Sequence, residues 1–486
     1  MRKTIKSLLT IFFSICFSFA FSQETTSEIQ GVVSGGSGGI SNATIIATHL
    51  PTGTKYVTTS RKEGYYNLPN LRVGGPYEVK VTFIGYKEEK QDNITLLLGQ
   101  SYRADFKLAI NTSTLAEVTV AGKKQDKVFN SNRTGSQEII NRSQIERLPT
   151  INRSLQDFTK LEPTANGLNI GARSNQYNNM TVDGANFNNS FGLSSVLGGQ
   201  TNSQPISLEA IDQIQVNVAP YDVSQGGFAG TGINSVTKSG TNQFRGTIYA
   251  YTKGPGTQGY RVGPTNVAKT EFNFVNRGAS LGGPILKDKI FFFISGEQER
   301  RSFPATSLVA SDASHPAGGN VSNANADTLA ALSAFLQQKY GYDPGAFQGY
   351  NFKTQSDKVT AKIDWNINSK NTFTIKYNYL KSFSDQFASS SRPGSGQSTG
   401  GQPGTNSMPF FGSGYVINNN FNIIIAELNS RIGKRSSNKL QIGYTALRDF
   451  RSPHSNSETF PLVDILNNNN IYTTFAFIFL LLACLG

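Results

Sequence analysis

The feature that most constrains this chain is a strict two-residue alternation that recurs in its second half. Val359, Ala361, Ile363, Trp365 and Ile367 share one face of an extended segment, and Thr360, Lys362, Asp364 and Asn366 share the other. Phe373, Ile375, Tyr377 and Tyr379 alternate in the same way with Thr372, Thr374, Lys376 and Asn378, and Leu440, Ile442 and Tyr444 with Gln441, Gly443 and Thr445. A helix cannot use a period of two, whereas a strand with one apolar face can. Lysine and aspartate on the polar face fit strands that turn apolar side chains to lipid and polar ones to a lumen. A large soluble β-sandwich alternates similarly and is the competing reading. Phe244–Tyr251, Glu271–Gly278, Ile290–Glu297 and Phe421–Leu428 are further strand candidates. Ile290–Ile294 is apolar on both faces, so its orientation stays open.

Composition supports strands and turns. With 48 Gly, 33 Phe and 19 Tyr, turn formers and strand formers are both abundant, which disfavours an all-helical protein and plain disorder. Apolar residues at 37% and charged residues at 16% are both low for a compact enzyme. Two cysteines, Cys16 and Cys484, cannot build a disulfide framework, and three histidines cannot build a His-rich metal cluster. The net charge of +13 includes Arg2, Lys3 and Lys6 of an N-terminal leader. There is no run of five basic residues and no zinc-finger or RNA-binding signature, so nucleic acid is not an expected partner. No G-x-S-x-G, H-E-x-x-H or Walker motif occurs. We therefore expect no enzyme, no catalytic residue, no metal and no cofactor.

The chain divides into five segments. Residues 1–22 carry a basic start, an apolar stretch from Leu8 to Phe19, and Ala20-Phe21-Ser22 before Gln23. They read as a signal peptide, too short and too broken by serine for a membrane anchor. Cys16 follows Ser14-Ile15, a poor match to a lipoprotein site. Residues 23–110 read as a small all-β sandwich, with Val79, Val81 and Phe83 alternating with Lys80 and Thr82 between glycine-rich turns. Residues 111–135 form a polar linker holding one alternating stretch, Leu115–Gly122. That stretch is either the first strand of the next domain or a segment that adds to another protein's sheet edge. Residues 136–240 mix short helices with strands. Helices are expected over Ile139–Leu148 and Ser154–Leu161, a strand and tight turn over Met180–Gly184, and a helical turn into a strand over Leu208–Val218. Asp183-Gly184 after a strand is a good turn signal on any fold.

Two resemblances follow from these residues. Gly31–Val33, Asn42–Ile45, Thr59–Pro69 and Tyr77–Tyr86 resemble the carboxypeptidase-regulatory-like domain, which implies a non-catalytic module. Gly171 to Asn175, Asn178 to Gly184, Ile211 to Val216, and Gly232 with Val236 to Gly240 resemble the plug of TonB-dependent outer-membrane receptors, most closely the Oar-like (OmpA-related) group. The resemblance implies an all-β N-terminal sandwich, a mixed α/β plug over 136–240 and a transmembrane antiparallel β-barrel from 241 on. Arg173, Asn178, Asp183, Gly184, Thr237, Lys238 and Gly240 are then structural motif residues of the plug. Glu117, Val118, Thr119 and Val120 take the place of the TonB box, which departs from the family at Thr119, where an apolar residue is common.

The implied partners are a TonB-type inner-membrane energy-transducing protein, outer-membrane lipid and, in related systems, a SusD-like surface lipoprotein. The implied place is the outer membrane of a Gram-negative, Bacteroidetes-like cell. The implied function is energised uptake of an unidentified ligand, and a surface binding or adhesion protein without transport is the alternative. About seven strands fit in 241–486, whereas the family's barrel has about 22. With the apolar run Phe475–Leu485 at the end, we expect an incomplete barrel and an inactive fragment. The loops 300–350 and 382–415, the first with a helix over Thr328–Lys339, read as extracellular.

Overall fold

Three bodies follow one another along the chain. The computed structural model describes residues 25–36, 38–111, 136–150, 153–166, 169–171, 173–174, 177–187, 199–201, 203–218, 230–266, 269–388, 401–433, 436–454, 462–467 and 470–475. The leader and the linker stretch with Glu117, Val118, Thr119 and Val120 lie outside the described residues.

The first body is a sandwich. Strand β1 (Ser27–Gly35) pairs with β4 (Tyr65–Leu71) on one side, and with β7 (Ser101–Arg103) and β8 (Phe106–Lys107) on the other. The second sheet has the order β3 (Thr54–Thr59), β2 (Thr44–His49), β5 (Gly74–Thr82), β6 (Glu89–Leu96). Alternate residues of each strand point inward, so Ile29, Val33, Ile45, Ala47, Leu68, Val79 and Val81 meet in one core, with Phe83 at its margin. That core is self-contained. We expect residues 25–111 to melt cooperatively on their own, and Ile45→Ala to cost about 2–5 kcal/mol in denaturant unfolding.

His49 lies in this sandwich beside the Tyr77 ring, its Nδ1 2.7 Å from Thr52 Oγ1. Burial, reinforced by the Arg72 guanidinium, lowers its pKa from 6.5 to about 3. The unfolded ring titrates near 6.5, so unfolding takes up a proton below that pH. The stability granted by a neutral ring is complete above about pH 6.5 and declines toward pH 3 by about 1.4 kcal/mol per unit. Hydrogen-exchange protection factors across residues 44–82, corrected for the intrinsic rate, should fall as pH drops through that window, and His49→Gln should flatten the dependence.

The second body holds a five-stranded sheet of order β9 (Ser136–Ile140), β12 (Ile211–Val218), β13 (Thr231–Thr237), β10 (Asn179–Val182), β11 (Ala185–Asn186). Helices α1 (Arg142–Arg147) and α2 (Leu155–Thr159) flank it. The helix expected over Ile139–Leu148 is shorter. Ile139 and Ile140 are strand residues opposite Gln215 and Ile214, and Asn141 starts the helix by accepting from the Gln144 N–H while the Gln144 side chain accepts from the Asn141 N–H. A capping pair after two β-branched residues outweighs the periodicity.

The third body is an antiparallel sheet of seven strands in chain order: β14 (Arg245–Lys253), β15 (Asn273–Leu286), β16 (Ile290–Pro304), β19 (Asn351–Asn368), β20 (Asn371–Gln386), β21 (Tyr415–Ile432) and β22 (Ser436–Pro453). The sheet is not closed, and β14 and β22 are its two edges. Turns at 287–289 and 369–370 lie at one end, where β21 also ends and β22 begins, and the longer connections from β14 to β15, β16 to β19 and β20 to β21 start and finish at the other. At the long-loop end β17 (Val309–Ser311), β18 (Val321–Asn325), α3 (Ala326–Tyr340) and the hairpin β23 (Val463–Asn467)–β24 (Asn470–Phe475) share a small core around Leu329, Leu336, Met408, Phe410 and Phe475.

In register, the outward positions form rows. Three successive rows are apolar: Ile290, Trp365, Phe373, Leu428, Leu440; Phe292, Ile363, Ile375, Ala426, Ile442; and Ile294, Ala361, Tyr377, Ile424, Tyr444. On β19 the outward apolar run is Val359–Ile367. At ~3.3 Å per residue it covers about 27 Å of strand, or roughly 20 Å of height at the usual tilt, close to the ~25 Å band of outer-membrane barrels. The inward face departs from the expected polar pattern. Phe293, Leu380, Phe421, Ile423 and Ile425 are buried in the same cluster as Met180, Val182, Phe187 and Ile214 of the second body. This resolves Ile290–Ile294: Phe291 and Phe293 face inward and are buried, because another folded unit covers them.

Candidate functional site

The site is the seam where the inner unit, the second body, meets the inner face of the wall. Asp183 sits at its centre, at the end of β10, with φ 51. Its carboxylate accepts from the Thr237 N–H at 3.1 Å and the Thr237 hydroxyl at 2.5 Å, tying β10 to the end of β13. The next residue, Gly184, has φ 83, and a Cβ there would meet the Gln441 side chain of the wall at 2.8 Å, so only glycine completes this turn without displacing a neighbour. From the wall, Lys376 Nζ lies 3.7 Å from Asp183 and 3.2 Å from Glu427, and all three are buried. Lys362 Nζ donates to the Thr237 carbonyl at 3.1 Å, and the Thr25 hydroxyl donates to Glu427 at 3.2 Å.

A second charged patch lies along β14. Lys238 pairs with Glu209 at 2.9 Å, and the Ser280 hydroxyl donates to the same carboxylate at 3.2 Å. The Arg153 guanidinium stacks 4.6 Å from the Tyr249 ring and 4.5 Å from that of Tyr251 and donates to the Tyr251 hydroxyl. Ser207 and Tyr249 both donate to Glu297, which Lys358 neutralises at 2.6 Å.

The sandwich closes the seam at the short-turn end. Arg72 pairs with Asp364 of β19 at 3.1 Å. Asn366 donates to Thr54 Oγ1 at 2.7 Å, Arg431 donates to Thr58 Oγ1, and the Asn242 N–H donates to the Pro51 carbonyl at 2.9 Å. Towards the inner unit, Gln213 accepts from the Leu98 N–H and donates to the Leu96 carbonyl, each at 3.0 Å. A cleft of about 1890 Å³ remains among the three bodies, lined by Arg72, Asp183, Asp212, Lys362, Asp364, Lys376 and Glu427 among others.

The residues singled out in the sequence separate in space. Asp183, Gly184 and Thr237 converge. Asn178 lies at the other end of β10, where its side chain accepts from the Thr231 N–H at 3.0 Å. Lys238 belongs to the Glu209 patch. Gly240 passes so close to the wall that a Cβ would lie 2.3 Å from the Phe292 carbonyl. Arg173 is exposed and forms an isolated bridge with Ile170. Lys376, Glu427, Arg72, Asp364, Glu209, Arg153 and Glu297 also build the site, although no sequence motif marks them. A signal existed for two of them, since Asp364 and Lys376, like Lys362, stand out as charges on the polar face of alternating strands.

Among the described residues no group of three or more His, Cys, Asp or Glu side chains could hold a metal. The seam offers instead a set of buried ion pairs within and between the three bodies. Lys376→Met in the whole protein would leave Asp183 and Glu427 without their shared cation. Losing one partner of a buried pair costs about 3–5 kcal/mol, so residues 177–237 should become protease-sensitive while the wall strands stay protected.

Comparison with known proteins agrees with this architecture. Residues 28–109 match the carboxypeptidase regulatory-like domain, and residues 236–479 match the outer membrane beta barrel domain family. The chain belongs to that barrel family, and its place is the cell outer membrane. It is 30% identical over 250 residues to the TonB-dependent transporter Oar of Myxococcus xanthus, covering 48% of this chain and 22% of the transporter. The chain thus spans about a fifth of that relative's length. Among solved structures, the outer membrane transporter YddB of Escherichia coli aligns with a TM-score of 0.39 at 15% identity, covering 65% of this chain and 39% of that one. The ferric enterobactin receptor PfeA of Pseudomonas aeruginosa aligns with a TM-score of 0.41 at 13% identity, over 65% and 41% of the two chains.

Proposed function

We propose that this chain supplies the sandwich, the plug and the first part of the wall of a TonB-dependent transporter that takes up a ligand across the outer membrane. The observation that carries this reading is the charged seam. A separately folded inner unit, joined to the sandwich through residues 112–135, is held in the wall by ion pairs and hydrogen bonds that can break and re-form. In this reading residues 136–240 are the plug, and Glu117, Val118, Thr119 and Val120 form the strand that a TonB-type protein of the inner membrane pairs with and pulls. A SusD-like lipoprotein on the outer face fits the same reading, and the ligand class is open. Arg173, Asn178, Asp183, Gly184, Thr237, Lys238 and Gly240 hold the plug's own fold and its fit to the wall.

Val118→Pro removes an amide donor from the pairing strand. In the full-length protein it should abolish energy-dependent uptake while surface display persists, and unchanged uptake would overturn the TonB-box assignment. The alternative, a surface binding protein without transport, draws support from the separate core at the long-loop end, which could hold a partner by itself. It predicts ligand capture that is indifferent to Val118→Pro. The two unpaired sheet edges bear on activity as well. Open edges leave backbone groups unsatisfied in lipid, so we expect these 486 residues alone to give no uptake, measured in vesicles.

A further inference from the structure

The outward rows change character abruptly at the long-loop side of the apolar band. Above the row of Ala279, Gly296, Val359, Tyr379, Asn422 and Ala446, the next outward row reads Arg277, Gln298, Asp357, Lys381, Asn420 and Arg448 across six adjacent strands. Arg277, Lys381 and Arg448 are exposed. Arg277 donates only to the Gln298 amide oxygen, at 2.9 Å and 2.5 Å, which leaves its charge uncompensated. Lys381 and Arg448 make no ion pair among the described residues. Asp357, the one acid in the row, is already taken by Arg300 of the row above, at 2.7 Å. The row is therefore a cationic belt with spare charge, standing where the lipid-facing band ends.

We propose that Arg277, Lys381 and Arg448 bind the phosphate groups of a phosphorylated glycolipid in the outer leaflet. Three observations converge on a lipid headgroup as the occupant. The belt faces outward from the sheet, so the plug and the lumen cannot reach it. It lies one register step beyond the apolar band, at the depth of headgroups. Its charge complements an anion, and Asn420 beside it offers an amide donor to phosphate or sugar oxygens, with the second N–H of Gln298, whose Nε2 also donates to Asp357 at 3.1 Å. The opposite boundary differs: Lys287 and Lys289 flank Asp288 in one short turn and Lys370 lies in another, so these three are not aligned in one outward row. The inference rests on the wall's place in the outer membrane and not on the transport reading.

The test uses protein purified from outer membranes and reconstituted in phosphatidylcholine vesicles. One set carries a tenth-part of bisphosphorylated lipid A and the other the same lipid A with both phosphates removed. Lipid retained per protein after detergent extraction is the readout. Wild type should hold the phosphorylated lipid, release it as salt rises, and hold the dephosphorylated lipid far less. At about fivefold per cation, the triple variant Arg277→Gln/Lys381→Gln/Arg448→Gln should lose about a hundredfold in affinity. Lys381→Gln alone should lose about fivefold and serves if the triple variant does not fold. Lys287→Gln/Lys289→Gln/Lys370→Gln removes the same charge from the short turns and should retain lipid like wild type. Equal retention by the belt variants, equal loss by the short-turn variant, equal binding of the dephosphorylated lipid, or displacement by millimolar inorganic phosphate would each overturn the proposal.

Discussion

In a bilayer, an amide that finds no partner has no water to turn to. That constraint shapes the wall. Each of its interior strands is paired on both sides over most of its length, so the backbone is satisfied within the sheet. Once the ladder is fixed, the side chains have only two directions. The outward set reads as apolar rows for as long as the surroundings are lipid, and turns to Arg277, Gln298, Asp357, Lys381, Asn420 and Arg448 in one step where lipid ends. The inward set is free of that demand and carries the charges.

Those inward charges create the second requirement. Lys358 is answered within the wall by Glu297 and Glu299. Lys376 is answered by Glu427 within the wall and by Asp183 of the inner unit, and Asp364 by Arg72 of the sandwich. A buried charge with no partner is costly, so wall, inner unit and sandwich complete one another. The apolar part of the seam adds area: Phe187 meets Phe421 edge to face, with ring centroids 5.9 Å apart. Polar pairs fix where the inner unit sits, and none of them is covalent.

Much of this was legible in the sequence wherever the information is local. The alternation at 359–367 and 373–379 gave both strands and their outward faces, and Asp183-Gly184 marked a turn that the structure contains. What could not be read was anything set by a distant partner. Arg72 and Asp364 are far apart in the chain and no local pattern joins them. Phe291, Phe293, Ile423 and Ile425 contradict a polar lumen because a second folded unit covers them, which a strand's own pattern does not reveal. Ile139 and Ile140 kept helical periodicity yet pair with β12, since Asn141 is the better place to start a helix. Motif spacing orders residues along the chain, not across the interface: Asp183 and Thr237 converge, whereas Lys238 pairs with Glu209.

The inner unit is seated on the wall's inner face, and the proposed uptake requires it to leave. Photo-crosslinking from residue 421 tests this most directly. A benzophenone amino acid in place of Phe421, in the full-length protein in its membrane, should react with the chain near Phe187 at rest. The adduct should decline when ligand and an energised inner membrane are both supplied. No adduct at rest, or an adduct whose yield is the same under energised uptake, would contradict the account.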